Sequence, residues 1–261
     1  MHRILAIRYG HHARLSAENF LGGDDHASPM PLDYYVWAIL RDDAAPIVVD
    51  TGFDAATAAR RNRTLLRPVE DGLRTAGIDP DQVEDVILTH LHFDHAGSLG
   101  LFPRARFHLQ DAEMAFATGR AMTHRAVRAP YDAEPVAELV RLLYGDRVIF
   151  HDGAATPWPG ITLHPLPGHS LGLQGVEVAT GRGPVVLASD AAHLYANITR
   201  QQPFPVVVDV PAYLAALRRL REIAPTLGHI IPGHDPLVRA RFPEAGPDIV
   251  RVDLPPIEDI A

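Results

Sequence analysis

The run Thr89-His90-Leu91-His92-Phe93-Asp94-His95-Ala96-Gly97 brings three imidazoles and a carboxylate into six consecutive residues, 90 to 95. Neutral imidazole and carboxylate are the nitrogen and oxygen donors that hold divalent transition metals. The run follows Val83 to Thr89, a β-branched stretch that reads as a buried strand. Residues two apart on a strand face the same side, so His90 and His92 can grip one ion together. Asp94 and His95 come after the chain has begun to turn and can face a second ion nearby. Gly97 permits a tight exit.

Three further residues stand in the same kind of place. His169 follows a strand in Pro167-Gly168-His169-Ser170, Asp190 follows the apolar run Val185 to Ala188, and His234 follows His229 to Ile231. Functional side chains of layered α/β folds gather at such strand ends. There is no cysteine among the 261 residues, which excludes disulfides and thiolate ligands, while 15 histidines supply nitrogen donors.

The elements that must position these residues are short and punctuated by 23 prolines and 20 glycines. Tyr34 to Leu40 and Pro46 to Val49 read as adjacent strands ending at the turn Asp50-Thr51-Gly52. Ala55 to Arg63 and Pro68 to Ala76 read as helices, the second stopped by Gly77. Arg106 to Leu109, Val148 to Phe150, Ile161 to Leu166, Leu173 to Val178 and Val185 to Ala188 read as strands, and Asp111 to Ala117 and Glu134 to Tyr144 as helices. Pro211 to Ile223 carries Leu214, Leu217, Leu220 and Ile223 as one apolar helical stripe. His229 to Pro232 closes the series as a last short strand. Strand pairs mixed with helices predict an α/β layered domain, and no linker divides the chain, so residues 1–261 read as a single domain. Gly10 to Pro31 is a long loop, either a lid over a pocket or a surface loop. Phe20 and Met30 are candidates for lining an apolar pocket, and Trp37 reads as core.

The formal net charge of −8 disfavours nucleic acid. Arg60, Arg61 and Arg63 read as a solvated helix end, and no basic cluster suited to an acidic substrate stands out. The apolar run at the N-terminus is too short for a signal peptide and no stretch approaches the length of a membrane span, which predicts a cytoplasmic protein with no membrane partner. His11, His12, His26, His108, His124, His151, His164 and His229 read as surface or packing residues, although His11 and His12 reach a pocket if their loop folds over it.

The Thr-His-Leu-His-Phe-Asp-His-Ala-Gly form, with the later Gly-His, Ser-Asp and Gly-His pairs, resembles the metallo-β-lactamase superfamily across nearly the whole chain, and within it the N-acyl homoserine lactonase group associated with quorum quenching. The resemblance implies an αββα sandwich with the site at one edge of two facing sheets. It implies that His90, His92 and His169 hold a first metal, that Asp94, His95 and His234 hold a second, and that Asp190 bridges both. Asp50 matches a turn beneath the site. The resemblance also admits a homodimer. One position departs: where the lactonase group commonly has tyrosine three residues after the bridging aspartate, this chain has His193, with Tyr195 two further on. Either is a candidate donor to the substrate carbonyl.

Two Zn2+ ions carry four positive charges, of which Asp94 and Asp190 remove two; manganese, iron and cobalt suit the same ligands. Metal-bound water ionises near neutral pH, so hydroxide is available to attack a lactone carbonyl polarised by the other ion. Asp190 or Asp94 can accept the proton and return it to the leaving alkoxide. The expected activity is the opening of a lactone ring, N-acyl homoserine lactone or a related one. The alternative is a glyoxalase-II-like thioesterase or another carboxylic ester hydrolase. The partner is then a small-molecule substrate.

Overall fold

A computed structural model describes residues 1–42 and 44–257; residue 43 and residues 258–261 of the expected 1–261 span lie outside the described residues. Two sheets face each other. The larger runs β13-β14-β1-β2-β3-β5-β6-β7, with β4 pairing on β1. Its strands are β1 (Arg3–His12), β2 (Leu32–Arg41), β3 (Ala44–Val49), β4 (Thr64–Leu65), β5 (Asp85–Ile87), β6 (Arg106–Gln110), β7 (Val148–His151), β13 (Glu244–Gly246) and β14 (Ile249–Arg251). The smaller runs β12-β11-β10-β9-β8, made of β8 (Ala155–Trp158), β9 (Ile161–Pro165), β10 (Gln174–Thr180), β11 (Gly183–Ser189) and β12 (Ile230–Pro232).

Alternation along β1 and β2 sorts their side chains into two cores. Ile4, Ala6, Tyr35, Trp37 and Ile39 meet Leu163, Val176, Val178 and Leu187 of the smaller sheet. Leu5, Ile7, Tyr34, Val36 and Ala38 turn to the other face, against Val69 and Leu73 of α2 (Val69–Thr75), Met114 of α4 (Asp111–Ala117) and Leu139 of α6 (Ala133–Tyr144). The smaller sheet is covered in turn by Tyr213, Leu217 and Leu220 of α8 (Val210–Ile223). Helix, sheet, sheet, helix is the layering that lets two sheets bury both faces. It also explains why β2 reads as a nearly continuous apolar run rather than a strict alternation.

Several expectations shift. The helix read as Ala55 to Arg63 is α1 (Ala55–Arg60), capped by the Asp54 side chain on Thr57 N, and Arg61 to Arg63 leave it to run toward the site. The chain does not close at β12, since β13 and β14 follow, β14 pairing onto β1 and β13 onto β14. These strands escape a periodicity reading because each is three residues long. The segment read as a loop from Gly10 to Pro31 begins inside β1, which continues through His12. The rest folds back on itself through a Leu15–Pro29 bridge and buries Asn19 and Phe20. Trp37 lies in the inter-sheet core and Met30 packs against it, while Phe20 is buried beneath the Arg200 guanidinium; none of the three lines the cavity described below.

Among the described residues, no helix is long and apolar enough to cross a membrane.

Candidate metal centre

β5 ends at Ile87, and a loop with a bend at Thr89 carries the chain to His92, the N-cap residue of the short helix α3 (Phe93–Ala96). This helix turns Asp94 and His95 back toward His90. Gly97 is required at its exit: a Cβ there would meet Phe93 O at 2.3 Å and Gly52 O at 2.7 Å. His169 comes from the β9–β10 connection, Asp190 from the end of β11 and His234 from the end of β12. Gly233 lets the last of these approach, since a Cβ at 233 would lie 2.9 Å from Asp190 Oδ1.

The seven side chains converge and are buried. Donor atoms of His90, His92, His169 and Asp190 all lie within 4.8 Å of one another, and so do those of Asp94, His95 and His234. His234 Nε2 is 2.9 Å and His95 Nε2 3.2 Å from Asp190 Oδ1, while His169 Nε2 is 3.1 Å from Asp190 Oδ2. Asp190 therefore stands between the two groups.

Three observations fit a pair of divalent cations. His90 Nε2 is a buried nitrogen without a hydrogen-bond partner, and so is His95 Nε2. His169 Nε2 and His92 Nδ1 lie 2.9 Å apart, which brings two ring nitrogens to one point beside Asp190. The opposite ring nitrogens are held: His95 Nδ1 by Asp50, His169 Nδ1 by the Val206 carbonyl at 2.7 Å, and His234 Nδ1 by the Asp33 carbonyl at 3.0 Å. Such contacts fix the tautomer that leaves the other nitrogen free to coordinate.

The charges agree. Burial, then neighbouring imidazoles, pushes His90 and His92 well below the usual histidine range. Burial opposes charge on His95 as well, yet Asp190, Asp94 and Asp50 raise it. Asp190 is buried, yet His193, His234, His95 and His169 hold its carboxyl well down. The carboxylates demand positive charge in a place where water cannot supply it.

His193 and Tyr195 part company. His193 Nε2 is 3.0 Å from Asp190 Oδ2, its ring stacks on Phe204 at 3.7 Å, and it lines the cavity. Tyr195 does not line it. As the first residue of α7 (Tyr195–Arg200), its ring enters the inter-sheet core and its hydroxyl is buried without a partner. The candidate role for Tyr195 is thereby corrected: the helix start turns its side chain away.

Two cavities meet at the centre. A small one, about 80 Å³, is bordered by Tyr34, Asp94, Asp190, His193 and His234. Beside it lies an open, mostly apolar cavity of about 650 Å³ with Phe116, Val127, Leu171 and Val206 in its walls. His92, Phe93, Pro130, His169 and Arg63 border both.

Other residues at the centre carry no local signal in the sequence. Glu113, fully buried on α4, accepts hydrogen bonds from Leu91 N and the Tyr131 hydroxyl through Oε1, and from the Ser170 hydroxyl and Gly172 N through Oε2. It ties the His90–His92 loop to the His169 loop. Arg14 and Arg63 line the small cavity, with His12 beside them, and Arg61 the larger one. This corrects the reading of Arg61 and Arg63 as part of a solvated helix end, and of the site as lacking basic residues. His12 does reach the pocket, and His11 instead pairs with Asp33 at 2.8 Å.

Two facing sheets between helices, with a buried histidine and aspartate cluster at one edge, define an αββα sandwich of the metal-site type. The chain belongs to the metallo-β-lactamase superfamily, whose family model matches residues 31–234. An N-acyl homoserine lactonase of Bacillus sp. is 28% identical over 208 residues, covering 74% of this chain and 77% of the relative. A solved quorum-quenching N-acyl homoserine lactone lactonase superposes with a TM-score of 0.74 at 26% identity, covering 90% of this chain and 92% of that one. A solved N-acyl homoserine lactone hydrolase with the product N-hexanoyl-L-homoserine at its catalytic metal centre gives 0.74 at 25% identity, with coverage of 91% and 95%.

Proposed function

We propose that the chain is a dinuclear, divalent-metal-dependent hydrolase that opens a lactone ring. His90, His92 and His169 would hold one cation, Asp94, His95 and His234 the other, and Asp190 both. The observation that carries this reading is the convergence of seven buried donors that include two partnerless imidazole nitrogens. The named relatives, which are lactonases, support the choice of reaction. A cation pair of this kind supplies acidified water and a positive centre for a carbonyl oxygen.

The chain's own residues do the rest. His193, facing the cavity from the end of β11, serves as a hydrogen-bond donor to the carbonyl oxygen as charge develops there. Asp94 or Asp190 takes up the proton released as the new C–O bond forms and returns it to the leaving alkoxide. The apolar cavity holds the remainder of the substrate and excludes water from it.

A second reading, hydrolysis of a thioester with an acidic thiol part, is favoured by Arg14 and Arg63 at the cavity. Elemental analysis of untagged protein, followed by proton-release assays over lactones, esters and thioesters, separates the two. Lactone turnover that disappears in Asp190→Asn and His92→Ala is the expected result. Thioester turnover exceeding lactone turnover would move the conclusion to the second reading, and undiminished turnover in metal-verified variants would end both.

A further inference from the structure

Although the chain carries a formal charge of −8, the small cavity is bordered by two arginines, Arg14 and Arg63, with His12 beside them. Their neighbours Arg60 and Arg61 are paired, at 2.7 and 2.6 Å, with Asp132. Arg14 and Arg63 have no carboxylate oxygen within 4.0 Å among the described residues. Neutral acceptors hold them instead. Arg63 Nη1 donates to the carbonyls of Arg61 at 2.6 Å and Asn62 at 3.3 Å and meets His12 Nε2 at 3.2 Å, while its Nε is buried with no partner. Arg14 Nε donates to Asn19 Oδ1 at 2.7 Å and Nη2 to the Glu18 carbonyl, and the guanidinium lies over the Phe204 ring at 5.1 Å. The Glu18 carboxylate is drawn off to Leu15 N at 2.7 Å.

Both guanidiniums are thus fixed in place by neutral groups: the Glu18 carboxylate offsets part of the Arg14 charge from a distance, and no carboxylate pairs with Arg63 among the described residues. Like charges gathered at one partly desolvated cavity cost free energy unless something anionic is bound there. Asp94 and Asp190 border the same cavity, but their charge is committed to the cations the cluster is built for. From this we infer that the substrate itself carries an ionised carboxylate, held by Arg63 and Arg14. This rests on the hydrolase reading above. The small cavity separating the guanidiniums from the donor cluster is about 80 Å³. Arg14 and Arg63 line this one small cavity together with Asp94, Asp190, His193 and His234, so a single small ligand there can meet both the guanidiniums and the donor cluster. An uncharged long-chain acyl lactone satisfies the apolar cavity and leaves the two arginines unmet. The carboxylate released by hydrolysis forms at the scissile carbon of every substrate, so arginines serving it alone would favour none.

The test compares two probes on metal-loaded full-length protein: γ-butyrolactone bearing a carboxylate at its γ-carbon, and the matching carboxamide. The acid is expected to have the higher kcat/KM by about tenfold or more, the worth of one charge-assisted hydrogen bond. That ratio shrinks as salt rises from about 0.05 to about 0.5 M. Arg63→Ala and Arg14→Ala each lower the ratio by about tenfold, and Arg63→Lys, which keeps the charge without the fork, retains part of it. The far-ultraviolet circular dichroism spectrum and Tm of each variant verify its fold. Equal kcat/KM for acid and amide, or a ratio untouched by both alanine variants, overturns the inference. If neither lactone turns over, the hydrolase reading is decided separately by the assays over lactones, esters and thioesters, and calorimetry with the same two probes decides the anion site. Binding of the acid over the amide that is lost in Arg63→Ala upholds it, and equal or no binding overturns it.

Discussion

His95 Nδ1 lies 2.7 Å from Asp50 Oδ2, and the same carboxylate accepts from Thr89 N at 2.8 Å and from the Thr89 hydroxyl at 2.9 Å. Asp50 occupies a left-handed backbone conformation, φ 65°, as does Ser189, φ 47°, whose hydroxyl donates to the Thr89 hydroxyl at 2.8 Å. Two strained residues from two sheets therefore meet at one threonine beneath the donor cluster. Strain of this kind persists where surrounding bonds over-determine it. Asp50 orients His95 and keeps its outer nitrogen protonated, so that the inner one is free to coordinate. Asp50→Asn is expected to weaken metal binding by about 10- to 100-fold, the usual effect of losing such a partner. Competition with a chromogenic chelator measures it; affinity within about twofold of wild type would show that His95 orients itself.

Glu113 makes the corresponding tie on the other side. Its four hydrogen bonds of 2.7 to 3.0 Å join Leu91, Tyr131, Ser170 and Gly172 inside the protein. Removing the carboxylate in Glu113→Ala strands four buried donors, for roughly 3 kcal/mol or more of lost stability. Urea denaturation should show the loss, and metal affinity should fall with it because both histidine loops are released. Glu113→Gln keeps a single carbonyl acceptor and should fall between.

The contrast between Asp50 and Glu113 shows what the sequence discloses. Asp50 stands in a recognisable turn at a strand end, so its place beneath the site is legible. His90 to His95 are legible for a similar reason: all six residues from 90 to 95 lie on one short loop and helix start, and four of them bear donors. Glu113 sits on an ordinary helix, and nothing local distinguishes it from a solvated glutamate. Its function arises from α4 crossing above two loops that are about 80 residues apart in sequence, a relation of tertiary packing alone. Arg14 and Arg63 are hidden the same way, because the β1 extension and the exit of α1 meet only once the sheet is assembled. β2 and β3 were legible as apolar runs, whereas β13 and β14 were too short to show a period.

His12 offers a pH test. Burial, then the adjacent Arg63, pushes its imidazole down from 6.5 to about 4. Between those values the unfolded chain binds a proton that the folded chain refuses. Stability from this group is therefore complete above the unfolded pKa and is lost as pH falls toward 4. His12→Gln removes that share of the acid sensitivity. The drop in urea midpoint between about pH 7 and about pH 4.5 should be smaller in the variant than in wild type. An identical drop would mean that His12 titrates in the folded protein as it does in the unfolded chain.

Removal of the metals should destabilise the fold as well as silence it. A ligand present at about 100 times its Kd stabilises by about 2.7 kcal/mol. Dialysis against a strong chelator should therefore lower Tm by several degrees, and zinc, manganese, iron or cobalt should restore it at up to about two ions per chain. Asp190→Asn, which weakens the group shared by both sets of donors, should blunt the recovery. A Tm indifferent to chelator and to added metal would argue that the histidines pack without binding a cation.

His193 and Tyr195 separate cleanly by variant. The two stand on either side of the start of α7, so the chain's turn into that helix sends one side chain toward Asp190 and the other into the core. His193→Phe keeps the stacking on Phe204 and removes the donor, and a lost donor to a developing oxyanion lowers kcat by roughly 100-fold. The effect should fall on kcat more than on KM, because the contact strengthens as the carbonyl oxygen gains charge. Tyr195→Phe removes a hydroxyl that has no partner, so kcat should stay within about threefold of wild type and Tm should hold or rise. Reversed results, with Tyr195→Phe inactive and His193→Phe unimpaired, would require α7 to rotate its first residue into the cavity during turnover. Crystals of the His193→Phe variant with bound lactone would then show the Tyr195 hydroxyl at the carbonyl.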